Sequence, residues 1–142
     1  MLRSGSAALC VLLFILGSVP AQAQRSDALA MKIHAEYDGP DDALFVDVRL
    51  ANNLGESAKI FGELRILVNR QELEREAFAL GADAAFAFVF RTDDLPRPLP
   101  ESLSVCAIAD YTVQITDRRG RVRELDDVAI RCQEVSIRGS RL

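Results

Sequence analysis

An all-β, immunoglobulin-like two-sheet sandwich of about seven antiparallel strands is the fold this sequence predicts, with a small closed β-barrel as the alternative. Three observations carry that reading. Apolar residues alternate with polar ones at period two in nearly every segment, and helical spacing is hard to find. Turn-forming clusters, GPDD at residues 39 to 42 and Asn69-Arg70 among them, punctuate the alternation at short intervals. A proline-rich stretch, DDLPRPLPES at residues 93 to 102, stands before the last two runs, where a sandwich needs a rigid crossover between sheets.

Residues 1 to 23 are set apart from the fold. Arg3 precedes the apolar run AALCVLLFILG, Pro20 breaks it, and Ala21 and Ala23 flank Gln22, which is the pattern of an export signal cleaved after Ala23. The remainder, residues 24 to 142, is one domain's worth of chain, with a β-sandwich expected over 24 to 137 and a flexible tail over 138 to 142. The whole chain carries 17 basic and 21 acidic residues. Removing residues 1 to 23 takes away Arg3 and no acid, so the net charge moves from −4 to −5. A diffuse acidic balance argues against nucleic acid or an anionic membrane surface as the main partner. The expected compartment is a bacterial periplasm or the exterior, with no stable membrane insertion after the signal is removed.

Each strand follows from its own alternation. Leu29, Met31, Ile33, Ala35 and Tyr37 share one face of the first, with Lys32, His34 and Glu36 on the other. Leu44, Val46, Val48 and Leu50 form the core face of the second, and Ile60, Leu64, Ile66 and Val68 that of the third. Residues 71 to 80, QELEREAFAL, have helix-favouring composition but too little length for a stable helix, so an edge strand is expected there. Phe86, Phe88 and Phe90 share one face of the fifth strand, and these rings are expected to dominate the core. The opposite face, Ala85, Ala87 and Val89, is also apolar. It is read as covered by a neighbouring element, with a partner-binding face as the other reading. The run from Val48 to Phe90 resembles the strand rhythm of bacterial adhesion and accessory sandwiches and carries no diagnostic motif.

The last two strands are joined by TDRRGRV, residues 116 to 122. A three-residue hairpin loop wants positive φ at its last position, where glycine has no steric penalty, and Arg118, Arg119 and Gly120 meet that need in order. Counting outward from Asp117 opposite Arg121 puts Cys106 opposite Cys132. Cysteine played no part in choosing the turn, so the coincidence supports the register. A disulfide is expected, since Cys10 leaves with the signal and two cysteines remain in an oxidising compartment. The same register sets Ile108 against Ile130 on one face and Val113 against Leu125 on the other. A β-bulge near Ala109 and Asp110, opposite Asp127 and Val128, is expected to reconcile them.

No catalytic site is expected. His34, the single histidine, sits between Lys32 and Glu36 on an outward face and reads as solvated. The acid pairs Asp41-Asp42, Asp93-Asp94 and Asp126-Asp127 read as solvated turn residues, which leaves neither a metal nor a cofactor expected. Arg118, Arg119 and Arg121 form a basic tip that could dock a partner, though nearby acids balance the charge. The functional expectation is a non-enzymatic exported module that binds another envelope or surface protein as an accessory or chaperone-like subunit. A periplasmic protein binding a small ligand or calcium is the alternative.

Overall fold

The computed structural model describes residues 28 to 137. The expected signal at residues 1 to 23 and tail at 138 to 142 lie outside them. Seven strands form two sheets: β1 (Leu29–Asp38), β2 (Ala43–Asn52), β3 (Ala58–Val68), β4 (Gln71–Leu80), β5 (Asp83–Arg91), β6 (Ser102–Thr116) and β7 (Val122–Ser136). One sheet has the order β1-β2-β5 and the other β4-β3-β6-β7, all neighbours antiparallel. The two sheets do not close into a barrel, so the molecule is the immunoglobulin-like sandwich. Compared with the constant-type antibody arrangement, the fourth strand has joined the sheet of the third, sixth and seventh.

Local chemistry explains the strand boundaries. Pro40 lies in the turn between β1 and β2, and Asp42 there takes φ 50°, a left-handed value that a short polar residue tolerates. Asn69 and Arg70, with φ 48° and 70°, make the two-residue turn between β3 and β4. Residues 71 to 80 are a strand at the sheet edge, as their length required. The proline-rich segment connects the two sheets, leaving β5 in one and entering β6 in the other.

The hairpin of β6 and β7 follows the counted register from end to end. Gly120 has φ 77°, its N–H donates to Asp117 O at 3.1 Å, and Asp117 N–H donates to Arg121 O at 2.9 Å. Asp117 Oδ1 also accepts from the N–H groups of Arg119 and Arg121, each at 2.8 Å, so one carboxylate organises the whole loop. Pairing runs without interruption from Thr116 opposite Val122 to Ser102 opposite Ser136. The expected bulge near Ala109 and Asp110 is therefore absent. Its premise, that Ile108 and Ile130 face the core, was the error. Leu103, Val105, Ala107, Ala109, Tyr111 and Val113 form one continuous buried face of β6, while Ile130 lies on the outer face and is 52% exposed.

Cys106 and Cys132 are bonded, with Cα atoms 4.1 Å apart. The Asp117 to Arg121 hydrogen bond makes odd-numbered pairs of this hairpin the hydrogen-bonded ones, so the cysteines fall at a non-hydrogen-bonded pair, where opposed side chains approach most closely. The crosslink lies within one sheet on its outer face. On the chain-entropy account it stabilises the fold by about 3.5 kcal/mol.

The core is mainly aliphatic. Leu44, Val46, Val48, Ile60, Leu64, Ile66, Val68, Leu103 and Val105 are fully enclosed between the sheets, and no polar or charged residue is buried among the described residues. The phenylalanines do not dominate, contrary to expectation. Their strand is an edge strand, so Phe88 and Phe90 line the margin of the core and Phe86 is only half-buried. The three rings stack in a ladder with centroids 6.4 and 6.3 Å apart.

Gly62 is the tightest point between β3 and β6. A Cβ built there would lie 2.0 Å from Asp110 O and 2.7 Å from Tyr111 Cα, both backbone atoms that cannot rotate away. Gly62→Ala should therefore destabilise the fold by at least about 2 kcal/mol, seen as a lowered thermal midpoint. Gly81→Ala, where nothing lies within 4 Å of the added atom, serves as the neutral control.

Candidate functional site

The residues with catalytic or ligand-binding chemistry are dispersed. His34 Nε2 is 3.9 Å from Glu36 on an outward face, with side-chain exposures of 70% and 75%. Asp41 is exposed, Asp42 accepts from the Tyr37 hydroxyl at 3.1 Å, and Asp93 accepts from Arg97 Nη2 at 2.8 Å. Asp126 and Asp127 are not turn residues. Both lie within β7, and period two sends them to opposite faces, Asp126 to the Thr112 hydroxyl at 2.7 Å and Asp127 to the Tyr111 hydroxyl at 3.3 Å. Among the described residues no three His, Cys, Asp or Glu side chains converge as metal ligands would. Arg118, Arg119 and Arg121 are exposed at the tip of the β6–β7 hairpin.

A shallow notch lined by Asp110, Tyr111, Thr112, Asp126, Asp127 and Val128 marks one polar place on the four-stranded sheet. Tyr111 itself points inward and is 3% exposed. Burial, then the neighbouring Asp127 charge and the hydrogen bond to it, push its pKa up to about 12.

The four sheet edges differ in how they are closed, and this difference defines the candidate site. An edge strand presents unpaired N–H and C=O groups that invite another strand. On β1 the middle of the edge is clasped from the opposite sheet: Gln133 Oε1 accepts from Ala35 N–H and Gln133 Nε2 donates to Ala35 O, both at 2.9 Å. On β7 the outward Val128 N–H donates to Asp127 Oδ1 at 2.9 Å, and the outward Ile130 O accepts from Arg131 Nη1 at 2.9 Å. On β4 a register shift opposite Ile66 and Leu67 interrupts the strand, and Glu72, Glu74, Arg75 and Glu76 charge it. Hydrogen bonding to Glu72 and the charges of Glu72 and Glu63 raise the Arg75 pKa.

Among the described residues the β5 edge has none of these devices. Its sequence DAAFAFVFR runs without proline, without an interruption in its pairing to β2 and without an internal charge, and among the described residues it pairs with β2 alone. Thr92 N–H donates to Asp42 O at 3.0 Å and Asn52 N–H to Ala82 O at 2.9 Å, which assigns the even-numbered β5 residues to the ladder with β2. The N–H and C=O groups of Asp83, Ala85, Ala87, Val89 and Arg91 consequently point to the open side.

Ala85, Ala87 and Val89 are exposed on the outer face of the three-stranded sheet, Val89 by 57%. Nothing among the described residues covers them, which corrects the expectation of a covering element. Seven strands supply only two layers, and the second layer packs on the phenylalanine face. Phe45, opposite Val89 on β2 and 37% exposed, extends the same apolar surface. Sequence reading missed Phe45 although the signal was there, since it occupies an outward parity position in LFVDVRL. Gln133 was missed as well. A polar residue at an inward position of β7 was its only local sign.

No family model and no curated protein matches this chain. Solved structures do. The CARDB domain of a Pyrococcus furiosus protein, crystallised in complex with di-metal ions, is 18% identical with a TM-score of 0.45, covering 75% of this chain and 86% of that one. The solution structure of the same domain gives 17% identity and a TM-score of 0.44 over 78% and 95%. A Bordetella pertussis protein provisionally assigned as ApaA gives 11% and 0.37 over 72% and 90%. Likenesses of this size carry nothing about ligand or activity.

The Tyr111 shift has a measurable sign. Its folded pKa lies above the ordinary value of about 10, so the folded chain retains a proton that the unfolded chain gives up. That stabilisation is intact below about pH 10 and is lost as pH rises toward about 12. Thermal midpoints should fall across this window, and Tyr111→Phe should flatten the fall by an amount on the order of 2 kcal/mol.

Proposed function

We propose that this chain is a non-enzymatic, exported β-sandwich that works as a protein-contact module of the bacterial envelope or surface, taking a strand from a protein partner along β5. The observation that carries this reading is the β5 edge: an unguarded row of backbone groups beside the exposed apolar face of Ala85, Ala87, Val89 and Phe45. Strand addition supplies affinity through main-chain hydrogen bonds, while the side chains flanking the edge set specificity. An exported location is supported by the signal pattern of residues 1 to 23 and by the Cys106–Cys132 bond, which persists in oxidising compartments. No helix among the described residues is long and apolar enough to cross a membrane.

A photo-reactive amino acid placed at Val89 and activated in living cells tests the reading. It should give a discrete higher-mass adduct that disappears with Ala87→Pro, which removes an outward N–H and leaves the ladder to β2 intact. The same probe at Glu74 on the charged edge should give none. No adduct at Val89, or equal labelling at both positions, would contradict it.

A further inference from the structure

We propose that the strand that fills the β5 edge is β5 of a second copy of this chain, paired antiparallel about a two-fold axis at Ala87. Two three-stranded sheets would then join into one continuous sheet. This deepens the reading above and rests on it, since both require the β5 edge to be a contact surface.

The self-complementarity of the strand carries the argument. An isologous antiparallel pair sets each residue against its mirror about the axis. With the axis at Ala87, Asp83 stands opposite Arg91 of the second copy, Ala85 opposite Val89, and Ala87 opposite itself. All of these are odd-numbered, and the odd-numbered residues are those whose N–H and C=O point outward. Every outward group in the strand thus meets a mate in a hydrogen-bonded pair. The smallest chiral side chain sits at the axis, where two identical side chains must approach each other. An acid faces a base at both ends, and such cross-strand pairs add stability while like charges subtract it.

Other registers lose this match. Moving the axis to Ala85 sets Asp83 against Ala87 and leaves Val89 and Arg91 unpaired, and moving it to Val89 sets Arg91 against Ala87 and leaves Asp83 and Ala85 unpaired. An axis on Phe86 sets Asp83 against Val89 and leaves Arg91 unpaired, an axis on Phe88 sets Arg91 against Ala85 and leaves Asp83 unpaired, and an axis between two residues would set outward groups against residues whose groups point back to β2. On the inner face, the Ala87 axis places half-buried Phe86 opposite Phe88 of the second copy. The ring ladder of Phe86, Phe88 and Phe90 would continue across the junction, covering apolar area that one copy leaves open. On the outer face Val89, flanked by Phe45 on β2, stands opposite Ala85 of the second copy. The other three edges are closed by the Gln133 clasp, by Asp127 and Arg131, and by the β4 charges, so the strand-to-strand contact is directed to β5.

Sedimentation velocity of the purified protein, from about 1 to about 300 µM at low salt, tests the proposal. The chain should pass from monomer to dimer with rising concentration. Ala87→Lys, which brings two ammonium groups together at the axis, should weaken association at least about tenfold. Asp83→Arg and Arg91→Asp should each weaken it about fivefold, and the double exchange should restore it to within about twofold. All three substituted positions are exposed on β5, so circular dichroism and thermal midpoint should stay at the parent values, which separates loss of association from loss of fold. A monomer throughout the range, a dimer indifferent to Ala87→Lys, or a double exchange no better than its singles would overturn the proposal. A monomer whose Val89 probe still captures a different protein overturns self-pairing and leaves the contact reading standing. A monomer with no Val89 adduct overturns both.

Discussion

The unbroken register of the β6–β7 hairpin is the constraint on which the rest of this molecule depends. One carboxylate and one glycine set it: Asp117 gathers the loop amides and Gly120 supplies the left-handed residue that closes the turn. From there period two decides what every later side chain does. Odd positions of β6 enter the core, even positions leave it, and the cysteines meet on the outer face at a pair where side chains lie close. A slip of one residue would reverse all of these assignments together.

The same parity closes two of the four sheet edges. Gln133 is inward on β7, and its amide has one acceptor and one donor set side by side, as a neighbouring strand would present. It therefore satisfies both free groups of Ala35 on β1 and ties the two sheets at their β1–β7 margin. Asp127 and Arg131, also on β7, cover the outward groups of Val128 and Ile130. On the other margin β4 relies on charge and an interrupted ladder. What remains is β5, apolar on both faces and open along one side. An edge of that kind is a liability unless something pairs with it, which is why the functional reading settles there rather than on the dispersed acids or the single histidine.

Much of this was legible in the sequence wherever the governing interaction is local. The loop of Arg118, Arg119 and Gly120, the pairing of Cys106 with Cys132, the turn at Asn69 and Arg70, and the strand at residues 71 to 80 all follow from short-range rules of φ and period. Errors came where burial depends on a strand's place in the sheet. Ile108 and Ile130 look like core residues, yet they lie on the outer face of a sheet that no third layer covers among the described residues. Phe86, Phe88 and Phe90 look like the centre of a core, yet β5 is an edge strand and they line its margin. The Gln133 clasp spans 98 residues of chain, and the crowding at Gly62 comes from the backbone of β6. Neither has a local signature.

Which edge amides are occupied decides where this molecule can take a strand. Hydrogen exchange read at single-residue resolution, at a concentration dilute enough that isolated chains dominate, measures this directly. Ala35 and Val128, both on sheet edges, should exchange slowly because Gln133 and Asp127 hold their N–H groups, while Ala85, Ala87 and Val89 should exchange quickly. An Ala35 amide that exchanges as fast as that of Ala87 would contradict the account.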